Sequence, residues 1–86
     1  MIKEGKNCFY IGSIDNPDAE IHFIEEGTIT IDHTYVSEKL RGQGIAALLL
    51  EKVVEYARLT NKKILPICSY AKNKLAKEEY NDLVIR

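Results

Sequence analysis

The stretch Leu40-Arg41-Gly42-Gln43-Gly44-Ile45-Ala46 joins a β-rich segment to a long helical pattern. The first turn of a helix leaves several backbone N–H groups unpaired, and the helix dipole adds partial positive charge there. Glycines let an anion approach the main chain with no Cβ in the way. Arg41 at the mouth can add a charge-assisted contact. These residues in this order can cradle a pyrophosphate; alternatively, the glycines serve only a tight turn before the helix. A Walker loop is excluded, because Ile45-Ala46 follows Gly44 where Lys-Ser or Lys-Thr is needed. GQGIAA (42–47) is a formal match to a dinucleotide fingerprint ending in Ala, but the helix is not followed by a suitably placed ribose-binding acid, and Glu55 lies within it. His33 could act as a base near neutral pH. A zinc site from Cys8, Cys68, His22 and His33 lacks paired ligand spacing.

The elements that must position this turn follow from periodicity. Asn7 to Ile14, Ala19 to Glu25 and Thr28 to Val36 are rich in β-branched and aromatic residues and are expected to be strands. Asp15-Asn16-Pro17-Asp18 separates the first two, and Glu26-Gly27 turns a hairpin between the others. Strict alternation in the third puts Ile29, Ile31, His33 and Tyr35 on one face, which favours a core role for His33. It puts Thr34 and Asp32 on the other face, with Asp32 a solvated acid. Ile45, Leu48, Leu49, Val53 and Tyr56 then mark the apolar stripe of a helix from about Gln43 to Thr60, ended by Asn61-Lys62-Lys63. Ile64 to Cys68 is a short strand whose Pro66 belongs at an edge, at a bulge, or where pairing stops. A shorter helix runs from about Tyr70 to Glu79. The expected architecture is α+β, β-β-β-α-β-α, with a mostly antiparallel sheet and helices packed on it.

Eighty-six residues suffice for one domain, 1–86, and 45% hydrophobic with 29% charged residues suits a folded globular chain. The net charge of -1 conceals a division: residues 1–38 carry two lysines and eight acids, residues 39–86 ten basic residues and five acids. The basic half suits an anionic ligand; Glu20, Glu25 and Glu26 in the acidic half could attract a cationic amine. The two cysteines form no disulfide framework, so free thiols in a reducing compartment are expected. No signal-like or membrane-spanning run is present, so a cytoplasmic location without membrane association is expected. No aromatic-basic signature points to nucleic acid.

Taken in order, Arg41-x-x-Gly44-x-Ala46 resembles the acetyl-CoA motif of the GNAT-type N-acetyltransferases. More narrowly, the chain is similar to the small single-domain YjdJ-type branch, through His33-Thr34-Tyr35-Val36, Val54 to Arg58, Ile64 to Tyr70 and Tyr80 to Val84. The likeness covers nearly everything after Asp32. It implies a reduced GNAT-like fold and an acetyl-CoA-dependent N-acetyltransferase acting on a primary amine of a small molecule or protein. The alternative is an acyl-CoA-binding module without efficient transferase activity. The resemblance implies that Val36, Arg41, Gly42, Gln43, Gly44, Ile45 and Ala46 bind coenzyme A. The pantetheine arm would run beside Ile64 to Cys68, and Cys68, Tyr70, Lys72 and Asn73 would complete the cofactor contacts. Cys68 would accept the acetyl group or protonate the leaving thiolate, with His33 the candidate base. Of Lys72, Lys74 and Lys77, one is expected to meet the 3′-phosphate, and Lys72 is nearest the strand end. Full-length members carry further elements that build the acceptor site. No metal is expected, and a monomer or weak dimer is expected.

Overall fold

The computed structural model describes residues Met1–Arg86. Five strands form one sheet in the order β1-β2-β3-β4-β5: β1 Lys3–Gly5, β2 Cys8–Gly12, β3 Pro17–Glu25, β4 Ile29–Val36 and β5 Ile64–Pro66. The first four pair antiparallel, and β4 pairs with β5 in parallel through the intervening helix α1, Ile45–Thr60. A second helix, α2, spans Ser69–Lys74. The α+β architecture matches expectation, with one strand more. β1 is a polar three-residue edge strand, too short to show a period. Its turn into β2 uses Asn7 at φ 60°, a left-handed conformation that Asn tolerates better than most residues.

The second helix is shorter than its pattern suggests. It ends at Leu75 (φ -91°, ψ 8°), and a separate 3-10 turn covers Glu78–Tyr80. The end of α1 follows expectation: Asn61 adopts φ 57°, and the Lys62 N–H returns to the Ala57 carbonyl at 2.9 Å, closing the last turn. No helix is long and apolar enough to cross a membrane.

The core lies between one face of the sheet and both helices. Ala19, Ile21 and Phe23 of β3 and Ile29 and Ile31 of β4 meet Leu49, Leu50, Val53 and Ala57 of α1, with Ala71 and Leu75 behind them. Leu49, Val53 and Ala57 recur at four-residue steps and centre the buried stripe. Leu48 is about 100° away from Leu49 around the helix and stays 49% exposed, so it lies outside the stripe, which Leu50 and Ala57 complete.

One irregularity decides what β4 presents. His22 pairs with His33 but the next β3 residue, Phe23, pairs with Ile31, so Asp32 is an extra residue on β4, a β-bulge. Before it, Ile29 and Ile31 face the core; after it, the alternation is displaced by one. His33 is therefore exposed instead of a core histidine, and Tyr35 is 41% exposed. Thr34 and Val36 are the half-buried residues of this segment.

At the other end of β3, Glu25 is tied down. Its carboxylate accepts from Tyr56 Oη and from Lys62 Nζ, both at 2.6 Å. Ala19 pairs with Val36 beside the glycine turn, so Glu25 and Glu26 lie at the opposite end of the strand and do not form an amine-attracting patch there. The Lys62 hydrogen bond first, then that from Tyr56, hold the Glu25 carboxyl below the usual carboxylate range, and the same contact pushes the Tyr56 phenol up. A depressed carboxyl stabilises the fold above its unfolded-state pKa, and the contribution disappears as pH falls through the folded value. Thermal unfolding measured from pH 7 down to pH 3 should show Glu25→Gln losing its deficit relative to wild type as the acid range is entered. A deficit independent of pH would contradict this.

Candidate functional site

The chain leaves β4 at Val36, makes one 3-10 turn over Glu38–Leu40, and extends through Arg41 (φ -67°, ψ 151°). Gly42 (φ 82°) and Gly44 (φ 74°) then take left-handed conformations that turn the backbone into α1, with Gly44 as its N-cap. An added Cβ on either glycine would meet nothing within 4 Å, so the space over the turn is open. Beyond Gly44, the N–H groups of Ile45, Ala46 and Ala47 precede the first intrahelical bond, Leu48 N–H to Gly44 O at 3.2 Å. Arg41 is anchored through Nε to the Val36 carbonyl at 3.1 Å, which leaves the end of its guanidinium free.

These pieces line one cleft of about 290 Å³. Val36, Arg41, Gly42, Gly44, Ile45 and Ala46 form one wall, and Tyr70 and Lys74 of α2 form the other. A second cleft of about 210 Å³ shares Ala47, Tyr70 and Lys74 and extends to Lys77 and Tyr80, so the two make a continuous groove between the helices. Lys74 Nζ sits 6.0 Å from the centre of the Tyr70 ring. Burial first, and then proximity to Cys68, push the Tyr70 phenol above its ordinary value, so it remains a proton donor at neutral pH.

Not every expected residue reaches this groove. Gln43 turns back, its amide donating to Lys39 O at 3.3 Å. Lys72 lines a different cavity, with Leu65, Pro66 and Ile67. Asn73 is exposed, and its carbonyl accepts from Ala76 N–H at the end of α2. Lys74 lines the groove where Lys72 does not, because it follows Tyr70 by four residues and shares its helix face. Sequence distance from the strand end pointed to Lys72; helical phase points to Lys74. Tyr80 belongs to a segment that carries the resemblance but is not among the expected site residues; the 3-10 turn brings it to the groove beside α1.

Where β4 and β5 part, the polar geometry is well defined. Their pairing stops at Ile31 and Pro66, and Pro66 offers no N–H to continue it. The N–H groups of Ile67 and Cys68 both bond the Ile31 carbonyl, at 3.0 and 3.1 Å. Cys68 caps α2: its Sγ accepts from Ala71 N–H at 3.4 Å and lies 3.4 Å from Thr34 Oγ1. Strict alternation had separated Thr34 from this region; the bulge turns it toward Cys68. His33 does not join them.

Both cysteines are free. Cys8 is buried within the sheet, and burial, reinforced by the Glu20 carboxylate, pushes its thiol up, which suits a packed thiol and not a reactive one. No three His, Cys, Asp or Glu side chains gather as a metal site. Asp32 is not simply solvated: its carboxylate meets His22 Nδ1 at 2.7 Å.

Residues 8–83 match the family described as GCN5-related N-acetyl-transferase. The chain is similar to a GCN5-like protein of Staphylococcus aureus, proposed to be an N-acetyltransferase and known from a solution structure. The two are 47% identical, the likeness covers 99% of this chain and 87% of that one, and the TM-score is 0.80. Two more distant crystal structures share the fold. Ribosomal-protein-alanine N-acetyltransferase of Brucella melitensis biovar Abortus 2308 is 22% identical over 92% of this chain and 71% of its own, with TM-score 0.55. An integron cassette protein from the mobile metagenome of Cole Harbour Salt Marsh is 15% identical over 92% and 57%, with TM-score 0.59. No curated protein matches the chain.

Proposed function

Because the chain belongs to the GCN5-related N-acetyltransferase family, we propose that residues 1–86 form one acetyl-CoA-binding domain that transfers the acetyl group to a primary amine of a small molecule or protein. The observation that carries this reading is the open glycine turn at the head of α1, facing Tyr70 and Lys74 across the cleft. The unpaired N–H groups of α1 and the free end of Arg41 suit the pyrophosphate. Lys74 and Lys77 suit the 3′-phosphate, with Tyr70 and Tyr80 as aromatic walls beside the adenosine. The ladder between β4 and β5 ends at Ile31 and Pro66, and a pantetheine arm lying along the unpaired end of β4 would bring the thioester to Thr34 and Cys68.

Acetyl-CoA supplies the activated acyl group; the chain's residues bind and orient it. Cys68 Sγ, held between the Ala71 N–H and the Thr34 hydroxyl, is placed to give its proton to the departing sulfur or to accept the acetyl group first.

Titration with acetyl-CoA, followed by amide NMR, tests the reading. Shifts should centre on Arg41 to Ala46 and on Tyr70 and Lys74, with weaker change at Lys72. No binding at millimolar acetyl-CoA would overturn it. A second reading, an acyl-CoA-binding module without efficient transfer, draws on the sheet face opposite the helices, where Ile24, Tyr35 and Leu65 are exposed and no element walls in an acceptor. Release of CoA with a panel of primary amines separates the two.

A further inference from the structure

The cleft assigned to acetyl-CoA lies on the helix-covered side of the sheet, walled by α1 and α2. With the helix side taken by the cofactor, the face that no helix covers is the side left to an acceptor amine at the end of the β4–β5 ladder. On β3 the buried Ala19, Ile21 and Phe23 point to the core, so Glu20 and His22 point to that bare face. Asp32, the extra residue of the bulge, follows Ile31, whose carbonyl marks the point of parting. Its Oδ1 lies 2.7 Å from His22 Nδ1, and the two side chains keep 29% and 38% of their surface.

An ionised carboxylate only accepts, so the contact holds a proton on Nδ1, and in the neutral imidazole Nε2 is then the acceptor. An imidazole oriented in this way by a carboxylate is an arrangement suited to taking a proton. Around it, Cys8 of β2 and His33 of β4 lie opposite His22 in the register, and Glu20 stands two residues along β3 on the same face. No lysine or arginine forms an ion pair with Asp32, which leaves its carboxylate to His22.

We propose that His22 is the base that takes the proton from the acceptor ammonium group, with Asp32 as the residue that positions it. This rests on the transferase reading above. His22 Nε2 takes one proton from R–NH3+, and the freed nitrogen attacks the thioester carbonyl carbon. The new N–C bond forms as the C–S bond breaks. Cys68 gives its proton to the leaving thiolate and regains the one shed by the nitrogen, giving amide and CoA thiol, and His22 returns its proton to solvent.

The test is kcat/KM as a function of pH, with acetyl-CoA and the best amine of a panel, alongside acetyl-CoA affinity by calorimetry. His22→Gln should lower kcat/KM by about 10²-fold at neutral pH and remove the acid-side break that is not the amine's own ionisation, with affinity unchanged. Free imidazole should restore part of the rate. Asp32→Asn should lower kcat/KM less, again without changing affinity, and carries the test should His22→Gln fail to fold. Wild-type kcat/KM in both variants would overturn the proposal. So would an acid-side fall that survives in His22→Gln and vanishes in His33→Gln, which would assign the proton to His33. Wild-type protein that binds acetyl-CoA yet releases no CoA with any amine would overturn the transferase reading itself, and the role of His22 with it.

Discussion

Gly44→Val is expected to reduce affinity for acetyl-CoA by about one to two orders of magnitude and to lower the unfolding temperature. Two separate penalties act, one on the fold and one on binding. At φ 74° a side chain bearing a Cβ is strained by about 1–2 kcal/mol, more for a β-branched one. The Cβ and its methyls would also project into the open space over the turn, where the pyrophosphate must approach the α1 amides. Hydrogen bonds to a charged group are worth about 1.5–3 kcal/mol each. Losing one of them gives about one to two orders of magnitude in affinity, at about 1.4 kcal/mol per tenfold, while the strain is present with and without ligand and lowers stability. Gly44→Asn separates the two penalties. Asn tolerates the left-handed conformation, so its unfolding temperature should stay near wild type while affinity still falls. Calorimetric titration and thermal unfolding of both variants check this. Wild-type affinity in Gly44→Val would remove the cradle from the binding site.

Cys68→Ala is expected to lower kcat by about 10²-fold with little change in acetyl-CoA affinity. Its sulfur is held from two sides, by the Ala71 N–H and by Thr34, at the place where β4 and β5 part. The same substitution removes the cap of α2, a loss of about 1 kcal/mol of stability, so a structural effect must be distinguished from a chemical one. Ser is a good N-cap without the thiol. Cys68→Ser should regain the stability and remain slow. Mass spectrometry of the protein quenched during turnover tells whether Cys68 carries the acetyl group or only donates a proton. Unchanged kcat in Cys68→Ala would take the thiol out of the mechanism.

Much of this was legible in the sequence because it rests on local chemistry. The glycine turn, the apolar stripe of α1, the Asn61 stop and the hairpin between β3 and β4 each announce themselves through residue type and period. Pro66, which has no N–H, pointed to an edge, a bulge or an end of pairing, and it is the end of pairing that the sheet shows. What escaped depends on relations between segments. A bulge has no periodic signature of its own, so His33 was assigned inward and Thr34 outward, the reverse of their observed exposure. Lys72 and Lys74 look equivalent in a list of cations; only the turn of α2 decides which shares a face with Tyr70. The His22–Asp32 contact crosses two strands at the irregular register and could not be read from either strand alone.

Asp32 has one more consequence, in arithmetic instead of chemistry. By counting as one residue on β4 and none on β3, it changes the parity of the strand. Odd-numbered Ile29 and Ile31 serve the core, and thereafter even-numbered Thr34 and Val36 take the inner side. The first half of the strand can therefore drift in sequence as a packing element while the second drifts as the part beside Cys68 and the glycine turn, with neither constraining the other. That independence is sensitive to length, not to composition. Most side chains could be exchanged at the bulge with only local effect, but removing a single residue there would restore an unbroken count. Every position from His33 to Val36 would then trade faces at once.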